Sequence, residues 1–166
     1  DWNWKFARFG KMPDGSTQPE PGKAMGFATA TSEESGNPAD NAVDGDKSTR
    51  WCAASGKSGE KITVDMGRPV DVKTVNILWE KQSNHLFKLE GSGDGKRWAT
   101  IEDKTSGQND SKEDTVENKT GKPRYFRITV TGNNQSNWAS IREITFKNDK
   151  GEIIRPQAAA GTSKSD

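Results

Sequence analysis

At 166 residues the chain has the length of one domain that buries roughly 68–70% of its unfolded surface. Twenty-five Lys and Arg stand against 24 Asp and Glu with no basic stripe, which argues against a nucleic-acid surface. The one cysteine, Cys52, excludes an internal disulfide, and no apolar run approaches the ~18 residues of a membrane helix.

The apolar share is low at 29%, yet six Trp and six Phe fall in or beside short alternating runs. That pattern predicts a thin core under a very polar exterior. No basic n-region followed by an apolar h-region is present.

Residues 1–25 read as a lead-in. Trp2, Trp4 and Phe6 alternate like a short strand, and Pro13, Pro19 and Pro21 mark a connector after it. From residue 26 the pattern is all-β. A first strand is expected over 26–32, followed by a long polar loop into a turn over 44–51. Lys61 to Met66 alternates with Ile62, Val64 and Met66 on one face, and Val72 to Trp79 puts Val75, Ile77 and Trp79 in phase. His85 to Gly91 follows, with Phe87 and Leu89 inward. Ser92-Gly-Asp94-Gly95 is a hairpin turn of the Asp-Gly type, leading into Arg97 to Ile101. Trp79 and Trp98 are both expected in the core. Residues 102–124 hold six acidic and five basic side chains around a single aliphatic, Val116, and read as a solvated loop or an edge strand. Tyr125 to Val130 and Ser140 to Phe146 complete the strands. The segment 156–166 reads as a tail too small and polar to pack. Seven or eight short strands without a helical period predict a β-sandwich of jelly-roll type spanning 26–155.

The turn Asp44-Gly-Asp46-Lys-Ser-Thr49-Arg50-Trp51 concentrates short oxygen-bearing side chains and carbonyls. Ca²⁺ takes six to eight hard oxygen ligands at about 2.3–2.6 Å, which a bent loop supplies well. A solvated Asp-Gly turn has the same wording.

With these strands in place the chain resembles the F5/8 type C, or discoidin-like, domain. The resemblance rests on Asn37 to Trp51, Ile62-Thr-Val-Asp65-Met-Gly67, Val75 to Glu80, Phe87 to Trp98, Tyr125 to Val130 and Trp138 to Ile144, in that order over about residues 27–148. Within that family the wording is most similar to bacterial family 32 carbohydrate-binding modules. The resemblance implies a structural Ca²⁺ held by Asp44, Asp46, Thr49 and Glu143, with Ala42 contributing its carbonyl. It also implies a shallow saccharide site on loops carrying Glu80, Lys81, Asn84 and His85, and Asn134, Asn137 and Trp138, beside Trp51. Those loops are rich in planar donors and acceptors, and an exposed aromatic can stack on the apolar face of a sugar.

Catalysis has little footing. His85 is the only histidine, no Gly-x-Ser-x-Gly elbow occurs, and a Cys52–His85 pair would have no third group to orient it. The expectation is a non-catalytic, calcium-stabilised carbohydrate-binding module of a secreted, periplasmic or cell-surface bacterial enzyme that degrades polysaccharide or glycan. Its partners would be a carbohydrate and the parent's catalytic module, with no nucleic acid and no membrane insertion, the module itself a monomer. The alternative the resemblance offers is adhesion to a lipid or protein surface, which calls for apolar loop tips among basic residues.

Overall fold

The computed structural model describes residues 26–132 and 138–158. The expected lead-in strand at Trp2–Phe6, the loop residues Asn134 and Asn137, and the end of the tail lie outside the described residues.

The strands are β1 (Ala28–Ala30), β2 (Trp51–Cys52), β3 (Glu60–Asp65), β4 (Thr74–Asn84), β5 (Leu86–Ser92), β6 (Ala99–Lys104), β7 (Asp110–Glu117), β8 (Tyr125–Gly132), β9 (Ser140–Lys147) and β10 (Ile153–Ile154). A single 3-10 turn, Ala39–Val43, precedes the Asp44 turn. One sheet has the order β1-β3-β8-β5-β6 and the other β10-β9-β4-β7, with β2 added against β9. Every pairing is antiparallel. The architecture is the expected all-β jelly-roll sandwich.

Alternation explains the layering. Ile62 and Val64 of β3, Phe87 and Leu89 of β5, and Phe126, Ile128 and Val130 of β8 face Val75, Ile77 and Trp79 of β4 and Ile144 and Phe146 of β9 in one buried cluster. The region left as loop or edge strand resolves into β7, whose Val116 reaches the core while Glu113, Thr115 and Glu117 stay exposed.

Three expectations are corrected. The first strand shrinks to Ala28–Ala30, because Asp40 caps the amides of Gly26, Phe27 and Ala28 and ends pairing there. Trp98 is only half-buried: it precedes β6 beyond the hairpin and lies under Arg127, whose guanidinium carbon is 4.0 Å from the ring centroid. The start of the supposed tail is held in place, with the Gln157 amide donating to the Met66 carbonyl and Arg68 Nη1 donating to the Arg155 carbonyl.

The register fixes the two ends of the sandwich. Leu86 lies opposite Gly132 and Ser92 opposite Tyr125. The β4–β5 corner, the end of β8, the start of β9 and β2 therefore gather at one end, and the β5–β6 hairpin and the β7–β8 loop at the other.

Candidate functional site

At the first end, pairing of Trp51 with Ile141 and Cys52 with Ser140 draws the Arg50–Ala53 segment beside β9. Trp79 of β4 is also opposite Ile141, which brings Glu80 to the same place. Arg50 is the hub there. Its Nη2 is 3.7 Å from Glu34 Oε1 and its Nε is 3.5 Å from Glu80 Oε1. Glu34 also accepts a hydrogen bond from Asn37 Nδ2 at 2.7 Å. Trp138 sits just before Ala139, whose carbonyl accepts from the Ala53 amide, and at 37% exposure it presents its indole at the surface.

Two expected ligand residues are corrected by burial. Trp51 is 0% exposed, because the β2–β9 pairing seats it between the sheets, and its Nε1 donates to the Ser32 carbonyl at 3.0 Å. It is a core residue with no face for a sugar. His85 is buried and stacks on Trp79 with ring centroids 4.2 Å apart and planes 7° from parallel. Its Nε2 is 2.7 Å from the Lys81 carbonyl, which accepts only, so Nε2 carries the proton of the neutral ring. Burial pushes the His85 pKa down. Its role is to brace the β4–β5 corner.

Of the remaining candidates, Lys81 is exposed and Glu80 is half-buried against Arg50. The Asn84 side-chain oxygen is taken by the Asn109 amide. Glu34 and Arg50 are not among the site residues expected from the sequence: Arg50 lies inside the Asn37 to Trp51 stretch, but nothing local there marks it as a hub. Only the strand register joins them to Glu80.

The Cys52 thiol is buried, and burial, with Glu34 nearby, pushes its pKa above the usual thiol value. It stays protonated at neutral pH and is no nucleophile. His85, stacked on Trp79 and bonded to the Lys81 carbonyl, does not serve Cys52 as a base.

The Asp44 turn lies against β9. Gly45, at φ 79°, gives the chain the left-handed residue the reversal needs. Its amide donates to Glu143 Oε2 at 3.0 Å. Thr49 Oγ1 is 2.7 Å from Asp44 Oδ2, 3.0 Å from the Asp46 carbonyl and 3.4 Å from the Asn41 carbonyl. Oxygens from Asn41, Asp44 and Asp46 thus gather around the Thr49 hydroxyl, with Glu143 linked to the same turn through Gly45. Asp46 reaches Thr49 through its carbonyl, and its Oδ1 accepts from the Ser48 amide and hydroxyl. The carbonyl that reaches Thr49 is that of Asn41, one residue before the expected Ala42.

Glu143 is 6% exposed, and its Oε1 is buried without a hydrogen-bond donor. Burial, joined by the negative charge of Asp44, pushes its pKa up to about 8. A buried carboxylate beside a second one is the arrangement a cation relieves. Among the described residues no three His, Cys, Asp or Glu side chains group to hold a metal. An ion here would therefore lean on carbonyls and a hydroxyl, donors that suit Ca²⁺ better than a softer metal. The donor set fits.

Comparison with known proteins agrees with the fold. The solved CBM32 of AlyQ in complex with 4,5-unsaturated mannuronic acid is 29% identical, covering 75% of this chain and 95% of its own, with a TM-score of 0.62. CpGH89CBM32-4, produced by Clostridium perfringens and solved with GlcNAc-α-1,4-galactose, is 25% identical over 74% of this chain and 88% of its own, with a TM-score of 0.63. Chitosan-binding module 1 of a chitosanase/glucanase from Paenibacillus sp. IK-5 is 26% identical over 76% and 96%, with a TM-score of 0.67. A curated relative, galactose oxidase of Gibberella zeae, is 30% identical over 127 residues, which span 70% of this chain and 19% of that protein. The F5/8 type C domain model matches residues 27–144, and the chain belongs to that family.

Proposed function

We propose that this domain is a non-catalytic carbohydrate-binding module that holds the catalytic part of a secreted glycan- or polysaccharide-degrading enzyme against its substrate. The observation that carries the reading is the exposed Trp138 indole at the same end of the sandwich as the Arg50–Glu34–Glu80 cluster. A flat aromatic offers a stacking surface for a sugar ring, and charged donors and acceptors next to it fix hydroxyl orientation. That the related modules of AlyQ and CpGH89 were solved with saccharides supports the reading.

Binding of this kind needs no bond-making group. A shallow site gives weak affinity for one sugar, and several modules along one polymer compensate through effective concentration. Ca²⁺ held by Asp44, Thr49, Glu143 and the carbonyls of Asn41 and Asp46 would lock the Asp44 turn to β9. That turn leads directly to Arg50, so the ion's role is to fix the cluster in place.

A glycan array with the Trp138→Ala variant beside the parent tests the reading. The parent should retain a defined set of glycans, and the variant should bind them roughly five- to tenfold more weakly with unchanged Tm, on the scale of one aromatic contact. Trp51→Ala, by contrast, should cost about 3–5 kcal/mol of stability. Silence on every glycan, joined to capture by anionic liposomes, would move the assignment to surface adhesion.

A further inference from the structure

At the other end of the sandwich a separate pocket of about 280 Å³ opens between the β5–β6 hairpin and the β7–β8 loop. Gly91, Ser92 and Gly93 form one side, Thr120, Lys122 and Pro123 the other, and Arg97 and Trp98 the rim. Its two walls touch at the base, where a Cβ added to Gly91 would come 2.9 Å from Pro123 Cγ. Ser92 and Leu86 lie at opposite ends of seven-residue β5, so about 20 Å of strand separates this pocket from the Trp138 end.

Three features of its lining point to a ligand. The half-buried Trp98 is held by Arg127, which itself binds Glu90 through Nε and Nη2 at 3.0 and 2.9 Å. Arg127 does not line the pocket, so the ring is fixed by a contact the pocket leaves alone. Arg97 is 93% exposed, with only its Nε near an acid, Asp94 Oδ2 at 3.6 Å. Asp94 is largely committed elsewhere: its Oδ1 accepts from the amides of Lys96 and Arg97 and pins the hairpin that carries the rim. Lys122 is exposed and makes no ion pair among the described residues. The hydroxyls of Ser92 and Thr120 are already used in the turns, to Asp94 and Asn118. What the lining offers a visitor is a half-buried indole and two exposed cations.

We propose that this pocket is a second saccharide site, selective for an acidic sugar chain: a ring carrying a carboxylate or sulfate ester lies against Trp98 while Arg97 and Lys122 pair with its anionic groups. A guanidinium pairs with a carboxylate or sulfate through two parallel N–H bonds, and an ammonium adds a second, adaptable charge. A volume just under the ~300–1,000 Å³ of small-molecule pockets suits a single sugar ring rather than an engulfed oligomer. Two sites at opposite poles let one module touch two polymer strands, or one strand that wraps, which raises avidity without a tighter single contact. The site goes beyond the Trp138 cluster and shares no residue with it.

The test is titration of the ¹⁵N-labelled domain with a galacturonic acid hexasaccharide, a heparin-derived hexasaccharide and neutral cellohexaose, following the tryptophan indole signals. The Trp98 indole signal should move with one or both acidic probes and not with the neutral one, the choice between them separating carboxylate from sulfate. The double variant R97Q/K122Q alters two exposed side chains, so it should keep the parent Tm while losing at least fivefold in affinity for the acidic probe. Trp98→Leu should lose the binding too, and if it fails to fold the double variant still decides. In Trp138→Ala the Trp98 response should persist, which separates failure of this site from failure of the first. A Trp98 signal unmoved by both acidic probes, equal binding of cellohexaose, or an unchanged Kd in R97Q/K122Q would each overturn the proposal.

Discussion

Glu143 on β9 accepts the Gly45 amide at 3.0 Å, tying together residues 98 positions apart and closing the Asp44 turn onto the sandwich. One carboxylate oxygen is thereby satisfied, and the other, Oε1, is buried without a donor. Desolvation pushes the Glu143 pKa up to about 8, so the carboxyl ionises only at a cost, which a cation beside it would offset.

Calcium should therefore stabilise the domain. Ligand at a hundred times its Kd adds about 2.7 kcal/mol, roughly 5–10 °C in Tm for a domain of this length. Calorimetry with EGTA and then with excess CaCl₂ should show that gap. Glu143→Gln, which keeps the shape and removes the charge, should close most of it. An identical Tm with and without chelator would dismiss the ion.

Acid should destabilise the β4–β5 corner through His85. Burial holds the folded pKa below the ordinary 6.5 of the unfolded chain. The stabilising contribution is thus fully present above pH 6.5 and is lost as pH falls from there through the folded pKa. The loss cannot exceed about 1.4 kcal/mol per pH unit for one group. Urea midpoints at pH 7.5, 6.5 and 5.5, with CaCl₂ in excess, should fall across the lower interval. In His85→Gln, which does not titrate, that slope should flatten; an unchanged slope would assign the effect to other groups.

Gly67 should tolerate no side chain. Its φ is +82°, and a Cβ there would stand 1.9 Å from the Gln157 carbonyl oxygen, which belongs to backbone. Gly67→Ala should displace the Arg155–Gln157 segment, breaking the Gln157–Met66 hydrogen bond, and cost on the order of 1–3 kcal/mol. Faster amide exchange at Gln157 together with a lower Tm is the expected readout. Unaltered exchange there would mean that the C-terminal segment contributes nothing to the fold.

The strands were legible because their signal is local. Ile62 and Val64, or Phe126, Ile128 and Val130, alternate within a few residues, and each buries on the face that its phase assigns. Trp79 could be placed on the same ground. Trp98 could not: its phase matched the core, but the hairpin before it carries the indole to the rim, where Arg127 covers it. Trp51 failed in the opposite sense, since a two-residue strand has no period to read and its burial comes from pairing with Ile141 far along the chain.

The site divides along the same line. The Asp44 turn could be read from its glycine and its oxygens, and the family resemblance named Glu143 as its distant partner. That the Asn41 carbonyl lies 3.4 Å from the Thr49 hydroxyl depends on the 3-10 turn before Asp44 and could not be read locally. Among the residues expected on loops, Trp138 is exposed, Glu80 lies half-buried within β4, and His85 is drawn inward by Trp79 and the Lys81 carbonyl.

By itself the sequence determined an all-β sandwich, its alternating inward faces and the oxygen-rich turn, because side-chain phase and turn chemistry act over a handful of neighbouring residues. Only the tertiary structure decided that Arg50 would join Glu34 to Glu80, that Trp51 would be core, and that Trp98, Arg97 and Lys122 would share a pocket. Those outcomes depend on antiparallel register between strands distant in the chain, and a register set by the summed burial of whole faces leaves no mark at any single position.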